Sequence, residues 1–142
     1  MSKVLIAEDN PVNRELLREL LETRGDAVEE ACNGQEALDL IDKSLPDILL
    51  LDLDMPVLDG FATVRKIRDN PHCASLPVLA VTAFAMYGDR EKILAAGFDG
   101  YLSKPVHATK LIEEIERLLR GRNGQPSRDA KARAATANSK AK

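Results

Sequence analysis

Short, nearly continuous apolar runs alternate along the chain with longer segments whose apolar residues recur at helical spacing. The short runs are unbroken by polar residues, as expected of strands covered on both faces. Lys3–Ala7 (KVLIA), residues 47–51 (DILLL) and residues 76–81 (LPVLAV) have this character, with Pro77 tolerable at a strand start. Residues 27–31 predict a weaker strand, because Glu29 and Glu30 are poor strand formers. Residues 101–102 mark a short last strand. Between them, residues 13–24 carry Leu16, Leu17, Leu20 and Leu21 at helical spacing, and Gly25 supplies a C-cap. Asn33 is the N-terminal signal for a helix over 35–43 with Ala37, Leu38 and Ile41 inward. Residues 61–69 predict a third helix with Phe61, Val64 and Ile67 on one side. Residues 85–96, closed by Gly97, predict a fourth. Residues 110–119 predict a fifth, with Leu111, Ile112, Ile115, Leu118 and Leu119 inward.

Five strands alternating with five helices imply βαβ units and a parallel sheet, an α/β fold. Sites in open sheets of this class lie at the carboxyl ends of the strands. After Gly121 the apolar pattern stops. Residues 1–120 therefore read as one domain, and residues 121–142 as a basic, disordered tail.

Charge sharpens that division. The net charge is −3, but residues 1–120 hold 14 basic and 22 acidic residues, a net of −8. The tail holds six basic residues and one acid, a net of +5. It carries no aromatic residue that would argue for a nucleic-acid arm, so a solvated tail is expected, with neither nucleic acid nor membrane as partner. No stretch approaches the ~18 apolar residues of a membrane span. Cys32 and Cys73 have no ligand or disulfide spacing, and His72 and His107 are the only histidines. A disulfide framework and a zinc site are thereby excluded, and a cytoplasmic location is expected.

The predicted strand ends carry the chemistry. Strand one leads into Glu8 and Asp9, strand three into Asp52, strand four into Thr82, and strand five into Lys104 and Pro105. Each has a plain explanation alone, as a cap, a turn starter or a surface charge. Together they place three carboxylates, a hydroxyl and an ammonium on one edge of the sheet. Carboxylates so arranged call for a hard divalent cation such as Mg²⁺, which needs only one or two of them and accepts phosphate oxygens besides. The lysine and hydroxyl are partners a phosphoryl group would take.

Here the sequence resembles the receiver domains of two-component response regulators, over residues 3–120. The carriers are VLIAEDNPVNR, DILLLDLDMPVLDG, PVLAVTAFAM and GYLSKP, in the family order. The resemblance implies a flavodoxin-like (βα)5 sheet of strand order 2-1-3-4-5. It implies that Asp52 takes a phosphoryl group from a histidine kinase or histidine phosphotransfer protein. Asp9 and Asp52 would bind Mg²⁺ directly, Glu8 through water, and the backbone carbonyl of Asp54 would complete the protein ligands. Lys104 would pair with the phosphoryl oxygens, Thr82 would move its hydroxyl onto one of them, and Tyr101 would follow Thr82. The Lys104–Pro105 bond is then a candidate cis peptide. Asp54 and Phe84 depart from commoner family choices, at positions that influence acyl-phosphate lifetime; Phe84 is expected to shield the phosphoryl group and Asp54 to alter water access.

Nothing after residue 121 resembles an effector domain, so the protein reads as a stand-alone receiver. Its output is then a downstream protein partner bound through the face of helix four, strand five and helix five, or onward transfer in a phosphorelay. The stretch AVTAFAMYGDREKILAAGFDGYLSKP resembles single-domain regulators of cell division and polarity, and also receivers in hybrid kinases. Two rivals remain. LLLDLDMPV also looks like the signature of haloacid-dehalogenase phosphatases, with Asp52 as nucleophile and Asp54 as acid. Against that, the chain is short, has no cap insertion, and carries its acidic pair before the nucleophile. A receiver-shaped scaffold that is never phosphorylated is the other rival, opposed by the full set Glu8, Asp9, Asp52, Thr82 and Lys104.

Overall fold

A computed structural model of the protein describes residues 2–83 and 89–124. Among them, five strands alternate with five helices: β1 Lys3–Ala7, α1 Pro11–Arg24, β2 Ala27–Ala31, α2 Gly34–Lys43, β3 Ile48–Asp52, α3 Gly60–Asp69, β4 Val78–Thr82, α4 Asp89–Ala96, β5 Gly100–Ser103 and α5 Ala108–Gly124. All neighbouring strands are parallel, in the order β2-β1-β3-β4-β5. This is the flavodoxin-like arrangement expected above.

The continuous apolar runs are divided by the strand period of two. Leu5, Ala7, Leu49 and Leu51 pack with α2 and α3 residues such as Ile41, Val64 and Ile67 on one face of the sheet. Val4, Ile6, Ile48 and Leu50 pack with Leu17 and Leu21 of α1 and with Leu111 and Ile115 of α5 on the other. Phe61 meets Phe98, which lies in the same cluster as Val64 and Ile67, edge-on, but it remains 37% exposed. Ile112 and Leu118 are only half-buried.

Several boundaries shift for local reasons. Helix α1 starts at Pro11, because Asn10 accepts the backbone N–H groups of Val12 and Asn13 and proline suits the first helical position. Its end is as expected: Gly25, at φ 101°, and Asp26 donate back to Glu22 and Leu21. Strand β3 begins at Ile48, since Asp47 is occupied in capping Lys3 N–H. Strand β4 begins at Val78, whose N–H goes to Asp99 Oδ2, and it ends on Thr82. Pro77 precedes the strand and serves it only as an acceptor for Leu49 N–H. Helix α5 passes Gly121 and runs to Gly124. The expected first residues of the fourth helix, Phe84, and the tail beyond 124 lie outside the described residues. No helix among the described residues is long and apolar enough to cross a membrane.

Gly60 opens α3 directly behind the end of β3. A Cβ there would lie 2.7 Å from Leu53 Cα and 2.8 Å from Asp52 O, backbone atoms that cannot step aside. Gly60→Ala should therefore destabilise by about 2 kcal/mol despite alanine's better helix propensity. Thermal denaturation checks this; a stabilised G60A protein would contradict it.

Candidate functional site

Backbone ladders bring the expected residues to one edge. Asp52 and Thr82 are the last residues of neighbouring strands, with Asp52 opposite Val81 and Thr82 opposite Ser103. The N–H of Lys104 donates to Thr82 O at 2.8 Å, which ties the loop after β5 to the end of β4. The Lys104–Pro105 bond is cis, as the resemblance implied. On the other side, Glu8 continues β1 and donates its N–H to Ala31 O.

Carboxylate oxygens of Glu8, Asp9 and Asp52 all lie within 4.8 Å of one another. Asp9 is exposed, whereas Glu8 and Asp52 are 1% and 3% exposed. Lys104 Nζ stands 3.2 Å from Asp52 Oδ2, as a hydrogen bond, and 3.0 Å from Glu8 Oε1. The second contact is an ion pair without hydrogen-bond alignment, because Glu8 Oε1 is buried with no hydrogen-bond partner. One ammonium thus pairs with two of the three clustered carboxylates. The donor set is all hard oxygen and includes an orphaned buried oxygen, so it is compatible with Mg²⁺.

The electrostatics show the same imbalance. Burial, then the hydrogen bond with Asp52, pushes the Glu8 carboxyl up to about 7, and Lys104 and Asn10 N–H offset this only in part. Burial alone would lower Lys104, but pairing with Glu8 and the charge of Asp52 outweigh it and raise it. The sign for stability follows. Between the ordinary carboxyl value of 4.5 and about 7, folded Glu8 keeps a proton that the unfolded chain has released. Without metal, stability should fall as pH rises through that window, and the slope should be absent in Glu8→Gln. Saturating Mg²⁺, were it held by the ionised carboxylates, should flatten it. Melting temperatures from pH 5 to 8, with and without Mg²⁺, check this.

The loop after β3 is tightly wound. Asp54 N–H donates to Asp52 Oδ1 at 3.1 Å, which holds the carboxylate from behind. Leu58 N–H donates to Pro56 O at 2.7 Å, and Val57 between them sits at φ 70° while 80% exposed. This is a γ-turn of the strained, positive-φ kind on a β-branched residue. Asp59 caps α3 through Ala62 N–H and returns the chain to the sheet. Beside Asp52 lies an open cleft lined by Leu53, Asp54, Asp59, Phe61, Thr82, Lys92 and Ile93. Thr82 is fully buried on that wall, and Tyr101 is half-buried against the core opposite Ala80.

Glu8, Asp9, Asp52, Thr82 and Lys104 are thus gathered on one edge, with Asp54 beside them. Phe84 lies outside the described residues. Arg14, whose guanidinium reaches the carbonyl of Glu8, was not singled out in the sequence. Its signal was Asn10–Pro11 as N-cap and first helical residue, which puts position 14 in the first turn, beside the end of β1.

A family model, the response regulator receiver domain, matches residues 4–116. The chain is 40% identical to the polar-differentiation response regulator DivK of Brucella anthropi over 116 residues, covering 82% of this chain and 94% of that one. The structure is similar to the receiver domain of the sensor histidine kinase PA1611 of Pseudomonas aeruginosa, whose magnesium ion is coordinated in the active site cleft. The TM-score is 0.78 at 35% identity, covering 83% of this chain and 97% of that one. The chemotaxis protein CheY4 of Vibrio cholerae gives 0.77 at 31% identity, with 82% and 98% covered.

Proposed function

Because this chain belongs to the response regulator receiver domain family, whose general role is to accept a phosphoryl group, we propose that Asp52 is its acceptor and that its switched surface controls a protein partner. The observation that carries this is the meeting of Lys104 with both Glu8 and Asp52 amid three converging carboxylates. Receiver domains take phosphoryl groups from histidine kinases; for this chain the donor is a sensor histidine kinase or a histidine phosphotransfer protein. In the transfer, an Asp52 oxygen forms a bond to phosphorus as the P–N bond to the donor histidine breaks, and the bonding pair leaves with that nitrogen. Asp52 suits this role because its second oxygen is held by Asp54 N–H and Lys104 stands beside it.

Asp9 and Asp52 would hold Mg²⁺ directly, Glu8 through water, and the Asp54 carbonyl would complete the protein ligands. The ion supplies neutralisation of charge on the phosphoryl oxygens. Lys104 gives up part of its pairing with Asp52 to meet those oxygens. Lys104→Met should then slow adduct formation about a hundredfold, while Mg²⁺ binds no less tightly, since a competing cation has gone. Single-turnover mass measurement and metal titration check the two halves.

The new charge of roughly −2 offers the Thr82 hydroxyl a partner one strand away, and Tyr101 follows it, altering the face of α4, β5 and α5. Phe84 and Asp54 would set the lifetime of the acyl phosphate, by shielding and by water access respectively. A second reading, onward transfer in a phosphorelay, draws support from the likeness to a receiver of a sensor histidine kinase.

The test is intact mass after incubation with acetyl phosphate, with and without Mg²⁺, and borohydride reduction to locate the adduct. One Mg²⁺-dependent adduct on Asp52 is expected. No adduct under conditions that modify a control receiver, or one on another residue, would sink the reading.

A further inference from the structure

Arg14 lies outside the acidic site yet holds its framework. Nη1 donates to Glu8 O at 2.9 Å, and Nε donates to Glu30 Oε1 on the edge strand β2, also at 2.9 Å. Arg18 pairs with the other oxygen of Glu30, and through Nε with Glu22 at 2.9 Å, so Glu30 is itself held from two sides. The backbone of Arg14 donates to Asn10 O, and Asn10 N–H donates to Glu8 Oε2 at 3.2 Å. A ring therefore closes from Glu8 carbonyl through Arg14 and Asn10 to the Glu8 carboxylate, and Asp9 lies within it. With Glu8 N–H given to Ala31 O, both backbone polar groups of Glu8 are fixed. The plane of the Glu8–Asp9 peptide is set by that carbonyl. Two adjacent carboxylates leave this peptide, so its tilt determines whether both aim at the same point as Asp52.

We propose that Arg14 is a positioning residue for the Glu8–Asp9 pair, anchored by Glu30, and that it sets divalent-cation affinity without touching the ion. The proposal rests on the phosphoacceptor reading above. It makes an unusual demand on sign. Removing a cation near an acidic site, by charge alone, tightens metal binding. Removing a positioning clamp loosens it.

Mn²⁺ binding followed by EPR, with Mg²⁺ as competitor, tests this well below the melting temperature and in ~0.5 M salt to screen remote charge. Arg14→Met is expected to weaken binding about tenfold, the usual effect of losing an outer partner of a metal ligand. Arg14→Lys keeps the charge but replaces a rigid fork with a single point donor, so it should fall between that variant and the wild type. It also carries the test should Arg14→Met not fold. Equal affinity in wild type and variants, even with lowered melting temperatures, would make Arg14 purely structural and overturn the proposal. So would tighter binding in Arg14→Met. A wild type that binds no Mn²⁺ would instead overturn the metal-dependent acceptor reading itself.

Discussion

Asp52→Asn is expected to take no phosphoryl group from acetyl phosphate at any Mg²⁺ concentration, and yet to melt above the wild type when metal is absent. The first half follows from chemistry, because an amide oxygen is no usable nucleophile at neutral pH. The second follows from crowding. Asp52 and Glu8 are both buried, and one ammonium serves them. Asn keeps the acceptor that Asp54 N–H uses and leaves Lys104 to Glu8 alone. Relief of the like-charge contact should add about 1 kcal/mol, hence a rise of roughly 3–4 °C for a domain of this size. Mg²⁺ should raise the melting temperature of the wild type more than that of the variant, because the variant has lost one of the three carboxylates that would hold it. Intact mass and thermal denaturation check the two halves. An unchanged or lower melting temperature without metal would mean that the apo site carries no strain.

The largest loss of stability is expected far from this edge. Arg68 leaves α3 with its side chain 14% exposed and donates to Gly97 O, Ala74 O, Leu76 O and Asp99 Oδ2. Asp99 in turn accepts the N–H of Val78, the first residue of β4. Two separate backbone segments, 74–78 and 97–99, thus meet one side chain. Arg68→Ala would take the guanidinium away from a nearly buried carboxylate and three carbonyls, at a cost of about 3–5 kcal/mol. Arg68→Lys should recover little, since one ammonium cannot serve a fan of acceptors. Urea denaturation gives the measurement; a loss below about 1 kcal/mol would show that water replaces the guanidinium. Because β4 carries Thr82, the variant should also phosphorylate heterogeneously before it unfolds.

The layout of these networks explains what the chain reveals when read by pattern. The strand runs were legible because parallel strands buried on both faces leave an unbroken apolar signature, as in KVLIA and ILLL. Glu8, Asp9, Asp52, Thr82 and Lys104 were legible because the fold class converts "after a strand" into "on one edge". What escaped depends on geometry that no periodicity carries. Phe61 fits the helical stripe, yet it lines the open cleft at the strand ends, which leaves its ring partly in water. Arg68 and Arg14 carry no signal in the helical spacing, and only tertiary neighbours give them their roles. The start of α1 was missed because leucine spacing locates the body of a helix, while capping by Asn10 fixes its first residue.

The same neighbours account for the glutamates that made β2 look like a poor strand. Glu29 meets Lys3 and Glu30 meets Arg14 and Arg18, so burial, which would raise Glu30, is overruled and its carboxyl is held below the ordinary range. β2 is one margin of the sheet; the other, β5, is four residues long and runs directly into Lys104 and Pro105. A sixth strand would have to lie against paired carboxylates on one side, and would find on the other a short ladder cut off by a residue without an N–H. The features that look like defects of strand design are ones that disfavour edge-to-edge pairing with another chain.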